Sequence, residues 1–348
     1  MGFETRCFFF GLSRVQGLSF RGLKYFFHGL NVCGDMFKPF LIGTRNASPH
    51  LRVGVEVLRR GGSAMDAVEA AVTAIEEDPE SGNVGVGGSP NILGVTELDA
   101  SIMDGRTRRT GAVAAVSKYA KAISIARKVM EESPHVLLVG DGAHRFARAM
   151  GFEERDLSTE RTRRIFEALR NDAFGDLPDD FRGKEYYMEY ARNQRLHEWY
   201  RRLSDEQQGT TNVIGMDVER NICVGVSTSG TSLKFPGRLG DTPIIGAGNY
   251  CDNRYGGAAC TGRGELTIRL LTARMIVKHM EDGLGLRDAV SKGLVEIHDL
   301  NEFGTIQCIA VDREGNAVSG STGGESTYWY MDVDMAEPEE RPGICMKT

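Results

Sequence analysis

The segment GTTNVIGMDVERNICVGVSTSG spans Gly209 to Gly230. Its two apolar runs, NVIGMDV and NICVGVSTS, are rich in Val and Ile and are separated by a short turn. That pattern reads as two buried strands joined in a hairpin. The preceding stretch, Phe152 to Gly209, is polar and rich in Arg, Asp, Glu and Tyr. It reads as an exposed helical excursion ending in the flexible tail SDEQQG. The Gly209–Thr210 pair therefore sits on a seam. Such a pair either opens a strand with no further purpose, or marks a cut that makes Thr210 the first residue of a new polypeptide.

A second segment, FGTIQCIAVDREGNAVSGSTGG (Phe303 to Gly324), echoes the first. Gly304-Thr305 leads to Asp312 at the interval that takes Gly209-Thr210 to Asp217. Both copies continue Asp-x-Glu-x-Asn, then an apolar run, then Ser-Thr-x-Gly. Two hairpins of one sheet would produce this echo without any catalysis, so the Gly-Thr pair alone identifies no nucleophile. The residues downstream separate the copies. After the first come SLKFPGRLGDTPIIGAGNY and ACTGRGE; after the second comes only TYWYMDVDMAEPEERPGICMKT.

The first copy thus leads into polar groups on glycine-rich turns. Arg238 and Asp241 lie three apart. An arginine fork grips a carboxylate with two hydrogen bonds, and a carboxylate holds an ammonium. Together they match the two charged ends of a free α-amino acid, although a salt bridge within the turn would also account for them. Thr261-Gly262-x-Gly264 offers a hydroxyl and closely approaching backbone N–H groups, which suit an oxyanion.

The rest of the chain reads as layered α and β. FKPFLIGT is a short buried strand. Ser48-Pro49 opens a helix, with the serine as cap and the proline in the first turn, and the helix stops at Gly61-Gly62. Ser63 starts another, with Asp66 at capping-box spacing, and Met65, Val68, Val72 and Ile75 form its apolar stripe. GNVGVGGSPN is a glycine-rich turn. ELTIRLLTARMIVKHMEDG is one helix, and IQCIAVD with NAVSGST forms a late hairpin.

Composition narrows the function. The 348 residues carry 42 Lys and Arg against 48 Asp and Glu, a net charge of -6, which disfavours nucleic acid and anionic membrane as partners. No apolar run approaches the ~20 residues of a membrane helix. Seven scattered cysteines suggest neither zinc nor a disulfide framework, and a reducing, cytoplasmic setting is the default, or a lysosomal or organellar one in a eukaryote. The histidines are isolated, and His197-Glu198 lacks the second histidine of a zinc motif. Neither GNVGVGGSPN nor GRGEL is a nucleotide loop. Asn46-Ala47-Ser48 has the form of a glycosylation triplet, which would matter only in a secreted protein. Residues 1–35 form an atypical extension rich in Phe, Gly and Arg. It reads as a start assigned too early, with Met36 as the expected first residue, or as an organelle transit peptide.

The motifs GT at 209–210, STSG at 227–230, PGRLGD at 236–241, GAG at 246–248 and TGRGE at 261–265 together resemble the asparaginase/glycosylasparaginase branch of the N-terminal nucleophile (Ntn) hydrolases. Upstream, GGSAMDAVEAAV, GVGGSP, LDASIMDG, GAVAAV and ARKVMEESPHVLLVGDGA agree. The likeness runs from about Phe37 to Asp312, and several motifs in register make it specific. It implies an α+β fold, a four-layer αββα sandwich, whose precursor cuts itself after Gly209 into an α chain (36–209) and a β chain (210–348) of one domain, 36–348, assembled as a dimer of αβ units. It implies Thr210 as nucleophile, Thr228 as its hydroxyl partner, Arg238 and Asp241 as holders of the substrate carboxylate and amine, and Thr261 and Gly262 as oxyanion donors, with Gly264 and Asn83 lining the substrate site.

The chemistry is coherent with those roles. A threonine hydroxyl is a poor nucleophile without a base. A free α-amino group, with a pKa near 7.7–8.0, can serve, whereas an amide nitrogen cannot. Cutting before Thr210 supplies that base, and no metal or organic cofactor is needed. For the leaving group, GVGGSP and HVLLVGDGA favour a glycosylasparaginase. Gly-Thr at the cut, Arg45 where glycosylasparaginases carry a tryptophan, and Asn83 in the glycine-rich turn favour an isoaspartyl peptidase/L-asparaginase. The expectation is glycosylasparaginase, with the peptidase/asparaginase as alternative and an unprocessed binding protein on the same fold as a rival of another class.

Overall fold

The computed structural model describes residues 37–82, 84–164, 166–167 and 209–345. The 1–35 extension, most of the 152–209 excursion and Asn83 lie outside the described residues. Within them, the chain builds two sheets and seven named α-helices. Strands β1 (Phe40–Gly43), β2 (Leu98–Asp104), β3 (Thr110–Val116), β4 (Leu137–Val139), β5 (Thr210–Met216), β6 (Ile222–Thr228), β11 (Thr327–Asp332) and β12 (Glu339–Pro342) form the larger sheet, in the order β12-β11-β1-β5-β6-β2-β3-β4. Strands β7 (Asn249–Asp252), β8 (Gly256–Gly262), β9 (Ile306–Asp312), β10 (Ala317–Ser321) and β13 (Ile344–Cys345) form the smaller, ordered β13-β10-β9-β8-β7. The two echoing hairpins, β5–β6 and β9–β10, thus lie in different sheets rather than in one.

Burial explains the apolar runs. Every residue of β5 and of β6 is buried. Both strands have hydrogen-bonded neighbours on each side, and both faces are covered. On one face lies α2 (Ala64–Glu77), which packs on β5 and β6; on the other, β5 meets β8, while β6 meets β7 and β8. A strand covered on both faces loses the polar–apolar alternation of a half-exposed one. Helices α1 (Leu51–Arg59) and α3 (Ala122–Glu132) join α2 on the larger sheet, while α4 (Gly140–Ala149) packs on β3. Helices α6 (Thr272–Glu281) and α7 (Leu286–His298) cover the outer face of the smaller sheet.

Local signals account for most boundaries. Ser63 Oγ accepts from the Asp66 backbone N at 3.1 Å, which caps α2. Its buried residues Ala67, Val68, Ala71, Val72 and Ile75 follow the helical period. Each fully buried Val or Ile contributes about 1.5–3 kcal/mol.

Two helix expectations are corrected. Ser48 and Pro49 lie in a 3₁₀ turn (Arg45–His50), and α1 starts only at Leu51 with His50 before it, so Ser48 is no cap. The segment read as one helix from Glu265 is two, α5 (Gly264–Leu270) and α6, because Leu271 adopts the left-handed region at φ 51°, ψ 48°. The tail TYWYMD is a strand, β11, paired with β1.

Candidate active site

Register places the central groups. Thr210 opens β5, Thr228 closes β6, and the two residues are directly paired across the strands. Their side chains meet, with Thr210 Oγ1 donating to Thr228 Oγ1 at 3.3 Å. The Thr228 hydroxyl in turn donates to the Gly209 carbonyl oxygen at 2.7 Å and accepts from the Gly230 backbone N at 2.9 Å. One hydroxyl therefore bridges the nucleophile candidate and the carbonyl of the bond in front of it. Thr210 is only 8% exposed.

The 3₁₀ turn that follows β1 also holds Thr210. Asn46 Nδ2 donates to the Thr210 carbonyl at 3.2 Å, and Asn46 Oδ1 accepts from the Thr44 hydroxyl at 2.8 Å. The backbone N of Asn212 donates to that same Thr44 oxygen at 3.1 Å. Asn46 is half-buried and has a structural partner, a role its triplet context did not disclose.

The charged pair, Arg238 and Asp241, does not form the salt bridge within the turn. Arg238 places Nε and Nη2 on Glu265 Oε1 at 3.0 and 2.7 Å, a residue 27 positions further on. Asp241 is buried, 4% exposed, and Thr267 Oγ1 donates to its Oδ2 at 2.7 Å. Burial pushes the Asp241 carboxyl up to about 6, against the pull of the Thr267 hydroxyl and the Arg238 charge. Burial also pushes Glu265 up, but the Arg238 guanidinium outweighs it and leaves the carboxyl below its ordinary range. Glu265 closes the TGRGE motif, whose spacing does not disclose its pairing with Arg238, and Thr267 carries no local signal; both sit on α5 (Gly264–Leu270).

These groups border one cleft. Gly209, Thr210, Thr228, Arg238, Asp241, Gly262 and Gly264 form much of its wall, with Gly230, Thr231, Gly240 and Thr242. Two glycines are required there by space. A Cβ on Gly262 (φ +124°) would lie 2.0 Å from the Thr305 carbonyl oxygen, and one on Gly264 would lie 2.6 Å from the Asp241 backbone N. The glycines let this segment pack directly against the backbone of Thr305 and Asp241. Thr261 stands one residue back from this wall, with Asn212 Nδ2 donating to its Oγ1 at 2.7 Å. The structure brings together all the sequence-derived site residues that it describes; Asn83 is outside them.

The model of the family described as Asparaginase matches residues 44–334. The chain belongs to the asparaginase family. That family is the type 2 asparaginase branch of the Ntn hydrolases. A plant-type L-asparaginase of Pyrococcus abyssi is 39% identical over 301 residues, 86% of this chain and 92% of that protein. An isoaspartyl peptidase/L-asparaginase of Bos taurus is 37% identical over 245 residues, 70% of this chain and 71% of that protein. The human protein of the same description is 38% identical over the same span and the same shares. As a member of this family the chain is a hydrolase, and its mixed α and β architecture agrees with the family.

Proposed function

We propose that the chain is a self-cutting N-terminal threonine amidohydrolase of the isoaspartyl peptidase/L-asparaginase type. It acts on an aspartyl unit with a free α-amine and α-carboxylate. The observation that carries this reading is the Thr228 hydroxyl, set between Thr210 Oγ1 and the Gly209 carbonyl oxygen on the wall of a cleft that also holds Arg238 and Asp241. The names of the relatives favour peptidase/asparaginase over the glycosylasparaginase expected from GVGGSP and HVLLVGDGA. The helix, sheet, sheet, helix packing supports the αββα sandwich of Ntn hydrolases, and a dimer of αβ units is part of the same proposal.

The chemistry proceeds in two stages. In the first, Thr210 Oγ attacks the Gly209 carbonyl carbon. Thr228 takes the Oγ proton and gives its own to the carbonyl oxygen. The C–N bond breaks, the Thr210 nitrogen leaves protonated, and water hydrolyses the resulting ester. Gly209, part of the cleft wall, then departs and enlarges the cleft. In the second, the free amine of Thr210 takes the Oγ proton and Oγ attacks the side-chain carbonyl of the substrate. The oxyanion is held at Thr261 and Gly262. The amine returns the proton to the leaving nitrogen, and water releases aspartate from the acyl-enzyme. Arg238 exchanges part of its hold on Glu265 for the substrate α-carboxylate, and Asp241 receives the ammonium.

The test is a denaturing gel with N-terminal sequencing of the smaller product, followed by turnover of a β-aspartyl dipeptide, asparagine and glycosylated asparagine. Two bands, a sequence starting TTNVIGM and turnover of the first two substrates are expected. A single uncut band with no turnover, or turnover of glycosylated asparagine alone, would overturn the proposal.

A further inference from the structure

Asn212 lies two residues beyond Thr210 on β5, so the two side chains share a face of the strand, and β5 packs against β8, where Thr261 stands. Asn212 is fully buried. Its main chain is locked to Thr44, with its N donating to Thr44 Oγ1 and its carbonyl accepting from the Thr44 N, both at 3.1 Å. The strand position from which its side chain extends is therefore fixed. Nδ2 donates to Thr261 Oγ1 at 2.7 Å. Oδ1 is buried with no hydrogen-bond partner among the described residues. A buried acceptor left unpaired costs free energy and calls for an explanation.

The two halves of that amide explain each other. A threonine hydroxyl has one proton and can accept from others. When Asn212 supplies an N–H to Thr261 Oγ1, that oxygen is occupied as an acceptor and its single proton is not used in the bond. The proton is then free for another acceptor, and the next residue, Gly262, borders the cleft. The reversed amide would satisfy Oδ1, but it would do so by consuming the proton of Thr261. The orphaned Oδ1 is the cost of keeping Thr261 a donor.

We propose that Asn212 is a positioning residue that fixes the hydroxyl of Thr261 as a donor toward the cleft and thereby sets the oxyanion-stabilising power of the site. The inference rests on the functional reading above and deepens it. Asn212 touches no substrate; it acts through Thr261.

The experiment is a double-mutant cycle of Asn212→Ala and Thr261→Val on the mature, cut protein. It reads kcat and KM on the best substrate, affinity for L-aspartate by calorimetry, and thermal unfolding. Each single change lowers kcat by about ten- to a hundred-fold, because a misaligned oxyanion donor forfeits transition-state contacts. KM and aspartate affinity stay within about threefold, since Arg238 and Asp241 are untouched. The double variant is no slower than Thr261→Val alone. Asn212→Ser, smaller but still polar, is the second variant should the alanine protein fail to fold, and it shows the same split. Unchanged kcat in a folded Asn212 variant, an effect on KM alone, or effects that multiply in the double variant would overturn the inference and leave the functional reading standing. A wild-type protein that turns over none of the aspartyl substrates removes both.

Discussion

Thr228 donates its hydroxyl to the carbonyl oxygen of Gly209 at 2.7 Å while receiving that of Thr210 at 3.3 Å. A single proton shift through Thr228 would sharpen the nucleophile and neutralise the oxygen it attacks. Thr228→Val removes both functions and strands a buried carbonyl; self-cutting is expected to slow by at least about a hundred-fold, on the scale of losing an oxyanion donor. Thr228→Ser keeps the hydroxyl and should cut at a rate within about tenfold of the wild type. Gel bands followed over days after purification distinguish the two. Thr210→Ala should give no cutting and no activity, and Thr305→Ala, in the other sheet's echo of the motif, should spare both.

On the proposed function, Asp241 adds a second pH dependence to that of the Thr210 amine. Burial holds the free protein's carboxyl at about 6, above the ordinary 3.8, and only the ionised form attracts an ammonium. Protonation of the amine lowers kcat/KM below its own pKa, and as pH falls through 6 the carboxyl takes up its proton too, so the fall should steepen from about tenfold to about a hundred-fold per pH unit below that point. Asp241→Asn should remove this steepening, leave the limb of the amine, and raise KM by about a hundred-fold. A profile of kcat/KM from pH 4.5 to 8 with both proteins checks it; equal slopes below pH 6 in the two proteins refute the assignment.

Glu76 governs stability rather than turnover. It is fully buried beneath β6, where it accepts from Ser227 Oγ at 2.6 Å and from the Ile123 backbone N at 3.0 Å. Burial pushes its carboxyl up to about 8, against those two donors. Between 4.5 and 8 the folded protein therefore holds a proton that the unfolded chain has released, and stability must fall as pH rises through that window. Glu76→Gln keeps the shape and cannot ionise. Its melting temperature should fall less than the wild type's between pH 5 and 9, and equal slopes for the two proteins would contradict the assignment.

Lys234 and Asp99 are buried together, with 1% and 0% of their side chains exposed and 3.9 Å between Nζ and Oδ2. Lys234 also donates to the Glu97 carbonyl at 3.1 Å, and Asp99 Oδ1 accepts from the Ala115 N at 2.8 Å. Burial lowers the lysine's pKa and raises the aspartate's, each opposed by its partner's charge. Lys234→Met leaves a carboxylate alone in the core and should cost about 3–5 kcal/mol. Because burial raises the Asp99 carboxyl, the loss should shrink as pH falls, and Asp99→Asn in the same chain should restore much of it. Denaturant titrations at pH 5 and 8 measure both effects.

Much of this was legible in the residues. The β5–β6 hairpin follows from its β-branched runs and turn, α2 from the Ser63 cap and its apolar stripe, and the Arg238, Asp241 and Gly262 group from glycine-rich turns that place charges near one another. The rest depends on long-range pairing. Glu265 reaches Arg238 only because α5 follows β8 directly, and Asn46 reaches Thr210 only because β1 is hydrogen-bonded to β5. The break at Leu271 escaped because a leucine in the left-handed region violates its ordinary preference. The tail strand β11 escaped because its role is to pair with β1, almost three hundred residues earlier.

The strand order β12-β11-β1-β5-β6-β2-β3-β4 has a lasting consequence for a chain opened at Gly209–Thr210. The earlier fragment contributes β1 and β2 to β4, and the later one contributes β5, β6, β11 and β12. The seams β11–β1, β1–β5 and β6–β2 each join one fragment to the other. The halves are woven like two hands with fingers laced, and neither can withdraw without dismantling the middle of the weave. The uncut chain assembles this arrangement within one molecule; once opened and denatured, it must find its missing half by diffusion. Maturation would then be a one-way door, crossed after folding and closed to simple renaturation thereafter.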